Sequence, residues 1–290
     1  MHRPLLVKIA RTAVAVAAAV VLVWIGRRNA SDLGRVHLRL RIWWLAASLP
    51  PYAAGSLCLA VGWRTQLDAF GHRLPIRLAV RLWWRAQLAR YVPTGLAAFA
   101  SRAALARQEG VPARLGASSL GVELGTLIAW GSLAAAIGLP SSLLSTVLRV
   151  ALGVAAIAAL VAVPLVAPRV VGQDARTPKL YESVLWYGLS VALKSVAFVA
   201  FTAALVTVHV RDAWLLSGAV QGASVIGIIG ITPAGIGIRE TAMVGMLGHR
   251  MSTADAAAVA VAWRAFEFAF ELGWLGVGSL VRRHPVGDVA

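Results

Sequence analysis

Arg264, Glu267 and Glu271 stand at i, i+3 and i+7 in the run "AWRAFEFAFELGWLGVG", so a helix places all three on one stripe. Each charge near a bilayer centre costs about 2.5–3.5 kcal/mol on insertion scales, so the stripe must face a partner helix or a wet cavity. Arg264 can pair with Glu267 one turn away, which leaves Glu271 a partner elsewhere or a proton. A second cluster lies upstream in "ITPAGIGIRE", residues 231–240, which packs Pro233, Gly235, Gly237, Arg239 and Glu240 together. Thr232 followed by Pro233 fits an N-cap and first helical position, and the glycines allow backbone to approach a ligand. A helix beginning there aims free N–H groups and a positive dipole end at what lies in front of it, which suits an anionic group such as phosphate. Arg239 could add a charge-assisted contact, and Glu240 could hold Arg239 or Arg264 in place, or titrate. The structural alternative is a kinked span without a ligand.

Two further runs carry polar groups at helical spacing. In 113–139, Gly116, Ser119, Glu123, Thr126 and Trp130 share one stripe, and Gly121 and Gly125 flank Glu123 in a Gly-x-x-x-Gly arrangement that admits a close neighbour. In 180–210, Ser183, Tyr187, Ser190 and Lys194 form another stripe. Polar packing between helices would explain each alone; together they describe a polar interior. Arg77, Arg81 and Arg85 recur every four residues opposite Ile76, Ala79, Trp83 and Ala86, the pattern of an interface-seeking amphipathic segment with snorkelling arginines.

The elements that must position these groups are membrane helices. The chain has 290 residues, 59% hydrophobic and 14% charged, with mean hydropathy +0.75, which is outside the range of a soluble globular domain. Its net charge of +16 and pI near 11.6 come from arginines clustered between apolar runs, as expected for loops facing anionic headgroups rather than for nucleic-acid binding. Cys58 is the only cysteine, and the six histidines have no metal-ligand spacing. Hydrolase, metalloenzyme and nucleotide-binding signatures are missing, so no catalytic residue, metal or cofactor is expected.

Runs at 9–26, 42–63, 113–139, 143–167, 180–210, 213–232 and 254–281 approach the length needed to span a bilayer. The first is followed by Arg27 and Arg28 rather than a cleavage site, and reads as a retained span. The expected fold is therefore all-α and polytopic, one domain over 1–290, with about seven transmembrane helices and two interrupted segments, 76–107 and 233–250, of re-entrant or interfacial type. "PTG" at 93–95 precedes Ala113 and Glu123 much as "PAG" at 233–235 precedes Ala254 and Arg264. This suggests two pseudo-symmetric repeats with cores at 76–139 and 213–281, and a cross-repeat ion pair between Glu123 and Arg264. Interrupted apolar segments at matching positions of two halves point to a transporter binding site.

"YVPTGLAAFASR" (Tyr91 to Arg102), the membrane glutamate Glu123, "PAGIGIRE" and "AWRAFEF" together resemble the transmembrane flippase-like domain of lysylphosphatidylglycerol synthases. The resemblance covers nearly the whole chain and implies translocation of a lipid, with Pro93, Gly95, Arg102, Glu123, Pro233, Gly235, Gly237, Glu240 and Arg264 as matching positions. Lys194, Arg239, Glu267 and Glu271 join them from the reading of the residues themselves. Leu124 stands where that family often has an arginine, which leaves Glu123 freer to pair with Arg264. The soluble aminoacyl-transferring domain is absent from this sequence, so transferase activity is not expected. The expected partners are membrane lipids with anionic headgroups, either phospholipid or polyprenyl-phosphate-linked sugar, met in the cell membrane. A lipid- or glycan-biosynthetic enzyme is the partner that a non-transporting scaffold would need. An intramembrane enzyme acting on a lipid phosphate is a third reading, for which no nucleophile or metal-ligand set is present.

Overall fold

In the computed structural model, residues 40–87, 97–172, 174–230 and 237–280 are described, the side chains of 97–100 and 275–280 excepted. Among them are nine α-helices and no strand. They are α1 (Ile42–Ala69), α2 (Ile76–Gln87), α3 (Ala97–Gln108), α4 (Ala113–Gly138), α5 (Thr146–Val171), α6 (Thr177–Leu205), α7 (Asp212–Ile229), α8 (Ile238–Leu247) and α9 (Thr253–Leu280). Five of these, α1, α4, α5, α6 and α7, are long and apolar enough to cross a membrane, and the chain is an integral, multi-pass membrane protein. α9 has 28 residues, the length of a span, and carries Arg264, Glu267 and Glu271 in its interior. The run 9–26 lies outside the described residues, as do Pro93, Gly95, Thr232, Pro233 and Gly235.

Local sequence sets several boundaries. Ser145 caps α5 by accepting from the Leu148 amide at 3.4 Å, and Gly172 closes it at φ 69°, a left-handed conformation that glycine adopts without Cβ strain. α8 begins at Ile238, because Gly237 at φ 87° is not helical; the Thr232–Pro233 cap expected from the sequence lies outside the described residues. Glu240 Oε2 accepts from the Gly237 amide at 2.6 Å, which satisfies an amide that the first turn leaves open.

α1 and α6 run antiparallel along their lengths. The Arg41 amide donates to the Ala204 carbonyl at one end and the Arg176 amide to the Ala69 carbonyl at the other. The first end also holds the start of α7, where a Cβ on Gly138 would lie 2.8 Å from the Gly218 nitrogen, and the Asp212–Arg250 bond of 2.7 Å. α2 starts from the second end, where Arg64 donates to the Leu74 carbonyl at 2.7 Å. Its Trp84 packs on Phe270 and Trp274 of α9. α3 returns to that same end, reaching it at Ala106 and Val111. α7 leaves the first end and α8 returns to it: Gly227 abuts Arg239 and Gly222 abuts Met246. Two helix pairs thus reach into the bundle from opposite ends, with α4 and α9 following them across.

The inner packing is aromatic and close. Tyr52 of α1 meets Trp263, Phe266 and Phe270 of α9 edge-on at centroid distances of 4.8–5.5 Å, geometry that suits the ring quadrupoles. The tight helix crossings fall at Gly138 against Gly218, at Gly131 against Val225 and at Gly188 against Trp130. They do not fall at Gly121 and Gly125: a Cβ on Gly121 would meet nothing within 4 Å and one on Gly125 only Val163 at 3.7 Å. The close approach that the Gly-x-x-x-Gly spacing admits is not made: α5 passes Gly125 at ordinary van der Waals distance and nothing among the described residues packs on Gly121. α5 itself turns Val147, Val150, Val154, Ile157, Val161 and Leu165 outward, an apolar face that hydrocarbon solvates.

Candidate functional site

The two inward helix pairs and the long helices beside them enclose a cavity of about 270 Å³. Tyr52, Trp83, Trp84 and Trp263 supply its aromatic wall, and Ser56, Ser190, Gln221 and Ser224 its neutral polar groups. Among the described residues its ionisable lining is Arg102, Lys194 and Arg239 with Glu123, Glu267 and Glu271. A polar, charged cavity within a bundle whose outer faces are apolar is where an intramembrane ionisable group becomes a functional candidate.

Each half of the cavity holds one buried arginine–glutamate pair. On one side Arg102 of α3 donates to Glu123 of α4 at 2.6 Å, with both side chains 3–4% exposed. The Arg102 guanidinium also lies 5.2 Å over the Trp63 ring. Glu123 is fixed from behind by the buried Tyr187 hydroxyl, which sits 3.4 Å from Glu123 Oε2 and 3.2 Å from Gln66 Oε1. Gln66 in turn donates to the Ser119 carbonyl at 2.9 Å, and Trp63 to the Ser119 hydroxyl at 3.3 Å. On the other side Arg239 of α8 makes a two-pronged contact to Glu267 of α9, at 2.8 and 3.0 Å. This fork geometry is the strong form of a charge-assisted pair. Arg264 completes the cluster, donating to Glu267 at 3.3 Å and lying 3.8 Å from Glu240.

Glu123 and Arg264 therefore do not pair with each other. Arg102, on the short helix next to α4, is the closer cation, and Arg264 stays with Glu267, the partner its spacing indicated. Lys194 lies 5.3 Å over the Tyr52 ring and faces the cavity with Ser190. The polar stripes expected on 113–139 and 180–210 are buried inward: Ser119, Glu123, Thr126, Ser183, Tyr187 and Ser190 all lie inside. Arg77 and Arg85 of α2 are exposed and Arg81 half-buried, while Ala79, Trp83 and Ala86 of the same helix are buried. The helix is amphipathic as the spacing indicated, although Ile76 at its start is exposed.

Sequence reasoning passed over Gln66 and Gln221. Gln221 holds α7 to α6 by donating to the Val191 carbonyl at 3.1 Å and to Ser195 at 3.0 Å. An amide in an apolar run was a signal of the same kind as Lys194. Tyr52, Trp83 and Trp84 were not separable in the sequence from ordinary interfacial or core aromatics.

No curated protein among those compared matches the chain. The family description "Lysylphosphatidylglycerol synthase TM region" matches residues 9–273, which takes in every cavity-lining residue. The chain belongs to the lysylphosphatidylglycerol synthase transmembrane-region family.

Proposed function

We propose that this protein translocates a lipid with an anionic headgroup, a phospholipid or a polyprenyl-phosphate-linked sugar, between the leaflets of the cell membrane. The observation that carries the reading is one cavity approached by helix pairs from opposite ends, each pair bringing an arginine to a glutamate on the long helix that follows it. An arginine held by a carboxylate can exchange that partner for a phosphate of similar geometry. The cavity takes the headgroup while the acyl chains stay in lipid. Helix ends that meet inside a bundle are tolerated in a membrane where they line a cavity, and paired inverted segments are a common transporter design. On this reading 76–139 and 213–281 are the two repeat cores. Arg102–Glu123 would close the cavity toward one end and Arg239–Glu267 toward the other.

Arg73, Arg107, Arg114, Arg169, Arg176 and Lys179 lie at the end where α1 finishes, and Arg41, Arg149, Arg211 and Arg250 at the opposite end. Basic residues favour the cytoplasmic side, so the end where α1 finishes and α2 starts is assigned to the cytoplasm. There the exposed arginines of α2 would gather anionic headgroups.

The test is leaflet transfer in liposomes containing the purified protein, with a fluorescent anionic lipid and reductive quenching of the outer leaflet. Protein-dependent transfer that is lost in a folded Arg239→Gln variant supports the proposal. Transfer no faster than in protein-free liposomes, across phospholipids and a polyprenyl phosphate, opposes it.

A further inference from the structure

We propose that Ser56, Ser190 and Gln221 form a subsite that recognises hydroxyl groups, and that the headgroup taken into the cavity carries a polyol, either glycerol or a sugar. The inference rests on the headgroup reading above and names what the headgroup bears besides its phosphate. All three residues line the cavity, and they are 3%, 1% and 7% exposed. They stand on three helices that meet along one stretch of α6. A Cβ on Gly55, the residue before Ser56 in α1, would lie 3.2 Å from the Ser190 carbonyl. Gln221 of α7 donates through Nε2 to the Val191 carbonyl at 3.1 Å and to Ser195 at 3.0 Å. Its Oε1 accepts from no group among the described residues, and neither the Ser56 nor the Ser190 hydroxyl bonds to one.

Other serines on the same helices behave differently. Ser48 of α1 donates to the Leu45 carbonyl at 2.7 Å, Ser195 of α6 to that of Val191 at 2.9 Å, and Ser224 of α7 to that of Val220 at 2.7 Å. Such a bond to the preceding turn is open to any helical serine. Ser56 and Ser190 leave it unmade beside the cavity, although a buried polar group without a partner is costly. The unmet groups define the chemistry of the partner. Gln221 Oε1 only accepts, so it calls for a donor, whereas a serine hydroxyl both donates and accepts. A phosphodiester offers acceptors alone and cannot serve Gln221. An ammonium offers donors alone and would leave the serine protons unmet. A hydroxyl is donor and acceptor together, and several on adjacent carbons meet several such groups at once. The arginines then take the phosphate, and the wall formed by α1, α6 and α7 takes the polyol.

The experiment is calorimetric binding of short-chain lipids to the full-length protein in detergent, in two matched pairs. Phosphatidylglycerol is compared with phosphatidylpropanol, and a polyprenyl-phosphate-linked hexose with the methyl ester of the same polyprenyl phosphate. All four are phosphodiesters, and only the first member of each pair carries headgroup hydroxyls. Wild type is expected to bind a hydroxylated member at least about tenfold tighter than its counterpart, and the pair that shows this tells glycerol from sugar. Ser56→Ala/Ser190→Ala is expected to cut that preference at least about threefold with no fall in thermal stability, since no bond within the protein is lost. Ser183→Ala is the control: its hydroxyl is also buried and unbonded, but Ser183 does not line the cavity, so the preference should stay at the wild-type value. Saturable wild-type binding with equal affinities within both pairs overturns the inference and leaves the headgroup reading intact. So does a preference that the double variant retains, or that Ser183→Ala loses equally. A double variant that fails to fold also counts against the subsite, because the two hydroxyls would then serve the fold. Absence of saturable binding of all four lipids to wild type removes the headgroup reading and this inference with it.

Discussion

Replacing Glu123 with Gln gives a sharp test of the buried-pair geometry. Arg102 and Glu123 are 2.6 Å apart and 3–4% exposed, so removing the carboxylate charge leaves a guanidinium inside the bundle without its counter-ion. Breaking one partner of a buried pair costs about 3–5 kcal/mol in general. The glutamine carbonyl can still accept from Arg102, which places Glu123→Gln at the lower end, about 3 kcal/mol. Arg102→Gln loses in addition the contact with Trp63 at 5.2 Å, worth about 0.5–2 kcal/mol, and should be the more damaging. The double variant buries no unpaired charge, so its cost should fall short of the sum of the two singles by about 2 kcal/mol or more. Reversible unfolding of all four proteins in mixed micelles measures this cycle. Additivity to within about 0.5 kcal/mol would refute the pairing, because independent sites add to that precision.

Gly138→Ala should destabilise the α4–α7 crossing by about 1–3 kcal/mol, since its Cβ would lie 2.8 Å from the Gly218 nitrogen, and the same unfolding measurement reads it. Gly237→Ala tests a different cost: its Cβ has open space, but φ 87° disfavours any side chain, so a loss of about 1–2 kcal/mol with a frayed α8 is expected. By contrast, Gly121→Ala should be tolerated within about 0.5 kcal/mol, because its Cβ meets nothing within 4 Å. For orientation, a cysteine at exposed Gly71 should be labelled by an impermeant reagent only after the membrane is opened, and one at exposed Ser141 in intact cells; the reverse pattern would invert the assigned topology.

What the sequence revealed was mostly periodicity. Apolar runs located α1, α4, α5, α6, α7 and α9, because a bilayer demands long uninterrupted helices. Charges inside those runs pointed to Glu123, Lys194, Arg264, Glu267 and Glu271 for the same reason: their cost in lipid forces them inward. The i, i+3 spacing gave the Arg264–Glu267 contact, since that geometry is local to one helix. What spacing could not give was partner choice between helices. Glu123 pairs with Arg102 rather than Arg264 because α3 folds back beside α4, a tertiary fact with no periodic signature. The bidentate Arg239–Glu267 contact likewise joins residues 28 positions apart. The Gly237–Glu240 cap of α8 had no sequence signal, because it depends on a positive-φ backbone at Gly237. Gly121 and Gly125 misled because Gly-x-x-x-Gly permits a close crossing without requiring one.

The claim that the headgroup passes through the cavity is tested most directly by filling it. Ser224 lines the cavity, and its hydroxyl is bonded to the Val220 carbonyl of its own helix at 2.7 Å. Ser224→Trp would therefore block the space without breaking a bond between helices. Val154→Trp, on the outward face of α5, adds the same bulk where hydrocarbon can accommodate it. In the leaflet-transfer assay the first variant, folded and reconstituted at the wild-type level, should lose protein-dependent transfer of an anionic lipid while the second retains it. Transfer by Ser224→Trp at the wild-type rate would mean that the lipid does not cross by way of this cavity.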